Sequence, residues 1–189
     1  MSDLVIGADR RARCFWGASP DYLTYHDTEW GFPIRTDDGL YERMTLEAFQ
    51  SGLSWLTILR KRPAFRAAFA NFSIDKVAGF ADADVERLLS DAGIVRNRNK
   101  ILAAIANARA AAALPDGLAA LLWSFAPPPR RRRPASRADI PGLTPESTAM
   151  AKDLKRRGFR FVGPTTAYAL MQATGMVDDH LAGCYVRVG

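Results

Sequence analysis

The sequence predicts an all-α chain, and three observations carry that reading. No segment shows the period-two alternation of a half-buried strand. Several long segments repeat their apolar residues at three- and four-residue intervals. Glycines and prolines fall where such segments would stop or start. No internal repeat is present.

Taken in order, residues 13–34 are crowded with aromatic side chains: Phe15, Trp16, Tyr22, Tyr25, Trp30 and Phe32. Asp38–Ser51 reads as a helix, with Leu40, Met44 and Ala48 near helical spacing and acids early, where the helix dipole favours them. Gly52 breaks the pattern and Leu53–Arg62 resumes it. Pro63 suits the first turn of a further helix through Phe65, Phe69 and Phe72. Ser73–Phe80 and Ala83–Ala92 read as short helices, the second stopped by Gly93 just beyond its end. Arg96–Ala113 is alanine-rich and helical by propensity. After the short apolar segment Gly117–Phe125, composition shifts to PPPRRRRPASRADIPG, which predicts an exposed loop over residues 127–142. Pro145–Arg157 and Thr165–Thr174 read as helices joined by a tight connection at Gly158–Gly163, with Gly175 as a cap. A last helix is expected from Asp178 or Asp179.

The 189 residues suit one domain that buries about 70% of its unfolded surface. With 48% hydrophobic and 24% charged residues the balance is that of a globular chain. Lys+Arg 26 against Asp+Glu 20 leaves +6, which favours a polyanionic partner without specifying one. The most apolar stretches are interrupted by Asn107, Arg109, Pro115 and Asp116, so no membrane span is expected. Residues 1–12 lack the apolar core of a signal peptide and read as a disordered N-terminal extension before one helical domain, 13–189. The expected location is the cytoplasm.

The chain has two cysteines and two histidines: Cys14 and His26 near one end, His180 and Cys184 near the other. The second pair has an i, i+4 spacing, which on a helix puts both side chains on one face. Together they make a complete tetrahedral zinc set, closed to water and therefore structural. Two buried thiols and two incidental histidines are the competing reading, since C-x11-H is not a finger spacing. A metal here would tie the chain ends together.

Seven strings, in order, resemble one family. They are RCFW at 13–16, YHDTEWG at 25–31, LE at 46–47, GLSW at 52–55, DAGIVRNRNKI at 91–101, RGFRFVGPT at 157–165 and MQATGMVDDH at 171–180. The family is that of the constitutive (type I) DNA-3-methyladenine glycosylases of the helix-hairpin-helix superfamily. The resemblance spans about Arg13 to Cys184. It implies a helical bundle with a helix–hairpin–helix at 150–175, and one structural zinc held by Cys14, His26, His180 and Cys184. It further implies a monomer acting on double-stranded DNA with alkylated bases, flipping the base out and cutting its N-glycosidic bond. A base-recognition glutamate is implied at Glu47, and pocket aromatics at Tyr25 and Trp55.

3-Methyladenine in DNA is cationic and already a good leaving group, so the leaving-group acid of an ordinary glycosidase is dispensable. What remains is to select the base, extrude it and steady a sugar cation. Glu47 accepts hydrogen bonds only, which suits the exocyclic amine of a cationic purine; the plain alternative is a solvated helix acid. Trp55, Trp16, Tyr25, Trp30 and Tyr22 can build an electron-rich box, or simply belong to an aromatic core.

Leu53, at the helix break, is a candidate wedge for the vacated stack, or a core leucine. Gly158, Gly163 and Thr165 would let the hairpin backbone approach DNA and offer N–H groups to a phosphate; a simple helix corner uses the same residues. Helix-hairpin-helix glycosylases in general use an aspartate downstream of the hairpin, where Asp178 and Asp179 lie, but the resembled family lacks that arrangement, and capping the last helix is their expected role. Arg130–Arg133 reads as a solvated, mobile run. No lysine suits a Schiff base, so no strand cleavage is expected. The competing functions are a zinc-stabilised DNA-binding module without catalysis and a zinc deaminase. The deaminase is disfavoured because H-x-E…P-C-x-x-C is absent.

Overall fold

The computed structural model describes residues 3–188. A two-stranded antiparallel hairpin, β1 (Leu4–Ile6) and β2 (Ala12–Cys14), opens the chain, with Leu4 opposite Cys14. Nine α-helices follow among the described residues: α1 (Leu23–Thr28), α2 (Asp37–Gln50), α3 (Trp55–Ala68), α4 (Ile74–Ala78), α5 (Asp82–Ser90), α6 (Arg98–Ala112), α7 (Gly117–Trp123), α8 (Pro145–Arg156) and α9 (Pro164–Ala173). The chain is mostly helical, as its patterning predicts.

Helix α2 is the axis of the bundle and packs against α3, α6, α7 and α9. Leu40, Tyr41, Met44, Leu46 and Phe49 are completely buried, so α2 is apolar on nearly every side, as a central helix must be. Phe49, Phe65, Phe69 and Phe72 form a run of rings with centroids 4.8 to 6.1 Å apart. Such burial contributes about 1.5–3 kcal/mol per large apolar side chain. Asp37, at the start of α2, accepts the Ala119 N–H at 2.7 Å and ties α7 to it.

Several expectations are corrected. The segment expected as a disordered extension is instead hairpin from Leu4 onward, while Met1 and Ser2 lie outside the described residues. Strands of three residues are too short for alternation to register. Pro63 does not start a helix: α3 runs through it from Trp55. Gly93 is not a left-handed cap; α5 ends at Ser90, and the Asp91 carboxylate accepts the Gly93 N–H at 2.7 Å, making the turn itself.

Among the described residues no helix follows α9. His180 and Cys184 reach one another from a turn, in which Asp178 accepts the His180 N–H at 3.1 Å and Leu181 the Cys184 N–H at 2.8 Å. The i, i+4 spacing survives there without the helix. Nor is the Arg130–Arg133 run simply solvated. Arg133 pairs with Asp178 and Arg130 with Asp179, both at 2.7 Å, and Pro134 is buried, its carbonyl accepting from Ala182.

Gly175 is where two requirements meet. Its φ of +73° is left-handed, and a Cβ there would lie 2.6 Å from the Gly31 carbonyl oxygen and 2.7 Å from the Phe32 backbone. The end of α9 is thus pressed onto the segment carrying Trp30. Gly175→Ala is expected to destabilise the fold by more than about 1 kcal/mol, seen as a lower urea midpoint at unchanged m.

Candidate active site and metal centre

Helix α1 supplies consecutive residues to two neighbouring sites. Tyr25 and His26 are both buried, and the 100° step between them sends one ring to a cavity and the other to a Cys/His cluster.

In the cluster, Cys14 comes from β2, His26 from α1, and His180 and Cys184 from the final turn. All four are buried, and their donor atoms lie within 4.8 Å of one another. Cys14 Sγ is 3.8 Å from His180 Nδ1, while Cys184 Sγ is 3.6 Å from His180 Nδ1 and 3.7 Å from His26 Nε2. Tetrahedral zinc with ordinary Zn–S and Zn–N bonds has S···N edges of about 3.5 Å, so the donor set fits such an ion closely. The outer ring nitrogens are engaged too: His26 Nδ1 with Asp27 at 2.8 Å and His180 Nε2 with the Trp30 carbonyl at 3.0 Å. Arg13, 2% exposed, binds Asp27 and Asp9 beyond them. Oriented second partners of this kind are what metal-binding histidines use. Gly17 passes so close that a Cβ would overlap the His26 ring.

Beside the cluster lies a cavity of about 420 Å³. Trp16, Tyr22, Tyr25, Trp30 and Trp55 line it, with Phe15 and Ile140 also contributing. Trp16 meets Trp30 edge-on at 5.0 Å and Tyr22 at 5.7 Å, while Tyr25 and Trp55 lie 5.3 Å apart. The same tryptophans touch the cluster: Trp16 is 4.9 Å from His26 and Trp30 is 4.8 Å from His180. The five aromatic residues named from sequence therefore come together, and Trp16 and Trp30 form the wall between the two sites.

Glu47, on α2, enters this cavity 7% exposed. Among the described residues no hydrogen bond or ion pair engages its carboxylate. Burial pushes its pKa up to about 7 against a weaker opposing pull from Arg43. Arg43 itself is committed to Glu29 at 2.6 Å, and Arg62 grips the same carboxylate at 2.5 and 2.8 Å. Burial alone would raise Glu29, but the Arg62 and Arg43 hydrogen bonds outweigh it and hold its pKa down near 2. One carboxylate is thus saturated with arginine while the other is left open. Burial also pushes the Tyr25 phenol well above its ordinary pKa, so it stays a neutral ring and donor. The Trp55 indole N–H is buried without a partner.

Leu53 is 42% exposed in the α2–α3 turn, which rules out the core-leucine reading. Lys100 clasps this turn from α6, its Nζ donating to the carbonyls of Phe49 at 2.9 Å and Ser51 at 2.5 Å. Gly158 (φ +91°) ends α8, with Phe159 buried behind it. Gly163 caps α9 and Thr165 is exposed in its first turn. Asn107 holds the hairpin, accepting the Arg160 N–H at 2.7 Å and donating to its carbonyl at 3.0 Å.

Sequence reasoning missed Arg43, Gln50 and Gln172. Arg43 precedes Glu47 by four residues, so helical spacing alone could have paired them. Gln172 carries no comparable signal, because its place in the cavity wall depends on how α9 docks.

An open carboxylate inside an aromatic cage suits an electron-poor ring, which is the class of ligand the site is built to hold. The family model described as methyladenine glycosylase matches residues 16–188. The chain is 45% identical over 177 residues to DNA-3-methyladenine glycosylase 1 of Escherichia coli (strain K12), covering 91% of this chain and 95% of that protein. A crystal structure of 3-methyladenine DNA glycosylase I matches with a TM-score of 0.87 at 47% identity, over 92% of this chain and 98% of that one. A tyrosine-to-phenylalanine variant of a 3-methyladenine DNA glycosylase I, in complex with 3-methyladenine, matches at 0.84 and 34% identity, over 88% and 92%. The chain belongs to the methyladenine glycosylase family and is a glycosylase.

The Glu47 environment has a stability signature. The folded chain keeps the Glu47 proton between the ordinary value of 4.5 and about 7, where the unfolded chain has released it. Its contribution to stability therefore falls as pH rises through that window, by roughly 3 kcal/mol in all. Glu47→Gln is expected to remove this component and to be more stable than the parent above pH 7, read from urea unfolding across pH 4.5–8.

Proposed function

We propose that this glycosylase acts as a monomer on alkylated double-stranded DNA, extrudes a 3-methyladenine nucleotide and hydrolyses its N-glycosidic bond, opening base-excision repair in the cytoplasm. The observation that carries this reading is the buried, unpartnered carboxylate of Glu47 inside an aromatic cavity. A neutral adenine gains little from such a site, whereas a cationic methylated adenine is attracted by both carboxylate and ring faces. Each well-placed ring adds about 0.5–2 kcal/mol for a cation.

In the reaction, the bond between the sugar C1′ and the base nitrogen breaks and its electron pair leaves with the base, neutralising the cation. Water forms the new C1′–O bond and releases a proton to solvent. The base needs no protonation, so the neutral Tyr25 serves as a wall and a donor. Glu47 accepts from the exocyclic amine, and Trp55, Trp16, Trp30 and Tyr22 enclose the ring. The developing sugar cation gains from the same negative field. Leu53 would fill the vacated stack, held by the Lys100 clasp. The N–H groups around Gly158, Gly163 and Thr165 would grip the phosphate backbone.

Cys14, His26, His180 and Cys184 would hold one zinc ion. With four protein ligands it leaves no open position and supplies cohesion between the chain ends. The S···N separations and the engaged outer ring nitrogens support this assignment.

Two expected outcomes follow. Methylated duplex DNA incubated with the protein releases 3-methyladenine, identified chromatographically, and Glu47→Gln slows single-turnover release at least tenfold while duplex affinity stays within a few-fold. Binding without base release by the zinc-loaded wild type would favour a DNA-binding module. Metal analysis returns about one zinc per chain, and Cys184→Ser both loses it and lowers the melting temperature markedly.

A further inference from the structure

Behind the cavity wall lies a polar network that the reading above does not use. Asp179 is 1% exposed. One of its oxygens, Oδ2, accepts from the Tyr168 hydroxyl at 2.6 Å and from Gln172 Nε2 at 2.9 Å. The other, Oδ1, faces Arg130 Nη1 at 2.7 Å, and Arg130 Nη2 donates to the Tyr168 hydroxyl at 3.1 Å. Tyr168 and Gln172 are four residues apart on α9, so one helix face serves a single carboxylate.

The consequence falls on Gln172, which lines the same cavity as Glu47 and Trp55. A side-chain amide is ambiguous by itself, with a donor end and an acceptor end of nearly equal shape. A carboxylate facing a guanidinium can only accept, so it fixes the choice: the NH₂ turns to Asp179, and Oε1 is the end left for the cavity. The cavity then carries a second acceptor beside Glu47.

We propose that Gln172 is a specificity residue, its Oε1 accepting an N–H from the amino edge of the extruded base, and that Asp179 is the positioning residue that sets its direction. This deepens the proposed 3-methyladenine reading and rests on it. The discrimination is chemical. A purine with an amino group at C6 offers a donor to the Gln172 Oε1, whereas its 6-oxo counterpart offers an oxygen that would face that acceptor.

The test uses the zinc-loaded full chain and two free bases, 3-methyladenine and 3-methylhypoxanthine, which differ in that group. Binding is read from quenching of the cavity tryptophans. Gln172→Met keeps the length and apolar packing and leaves Asp179 its Tyr168 and Arg130 partners. It is expected to lose roughly tenfold in affinity for 3-methyladenine, the effect of one hydrogen bond, with little change for the 6-oxo base. Asp179→Asn, verified to retain its metal, is expected to narrow the preference between the two bases, because the Gln172 amide can then turn either way. A Gln172→Met protein with the wild-type preference, or with equal losses for both bases, overturns the inference while leaving the glycosylase reading intact. Wild-type protein that neither binds 3-methyladenine nor releases it from DNA overturns both.

Discussion

A carboxylate largely withdrawn from water, with no partner in the fold, is the constraint around which this molecule is arranged. Glu47 sits on the most buried helix of the bundle, and burial raises its pKa to about 7. An isolated buried charge is costly, and a chain selected for stability alone would pair it or replace it. The surroundings show that pairing was within reach: Arg43 lies one turn earlier on α2, yet its guanidinium is drawn to Glu29, which Arg62 shares. Cation is thereby kept close enough to moderate the field but not to neutralise it. In the proposed function the open position receives a cationic guest, which would convert an unfavourable burial into binding selectivity.

The cavity works only if its aromatic walls stay in place, and they belong to segments with little regular structure. Residues 13–34 carry one six-residue helix and the end of β2. The Cys/His cluster compensates: it draws β2, α1 and the final turn to one point, and its histidine rings pack directly on Trp16 and Trp30. Arg13 and Asp27 extend the bracing outward. Support for the pocket thus comes from residues 150 or more positions apart, joined where neither helices nor a deep core could join them.

Much of this is legible before any coordinates. The helices have readable boundaries because Thr144 with Pro145, Gly163 with Pro164, and Gly175 mark local chemistry that tertiary packing did not override. Glu47, the aromatic residues and the Cys/His set are rare or clustered types, and their convergence matches their spacing and the family resemblance. Less was legible where partners are distant. The strand Leu4–Ile6 is defined by pairing with Ala12–Cys14, not by its own pattern. Arg130 and Arg133 look like a solvated run because Asp179 and Asp178 are more than forty residues away. The helix expected after α9 is absent from the described residues, where the Asp178 turn holds the backbone instead. The orientation of the Gln172 amide depends on a three-dimensional network, and no one-dimensional signal carries it.

Glu47, about half protonated near neutrality, is expected to give up that proton when a cationic base fills the cavity. Carbon-13 NMR of the Glu47 carboxyl, titrated in the free protein and again with a permanently cationic 3,9-dialkyladeninium bound, tests this most directly. The expected midpoint is near 7 in the free protein and drops by a unit or more when the cationic base fills the cavity. A midpoint in the ordinary glutamate range in the free protein, or one unmoved by the base, would contradict it.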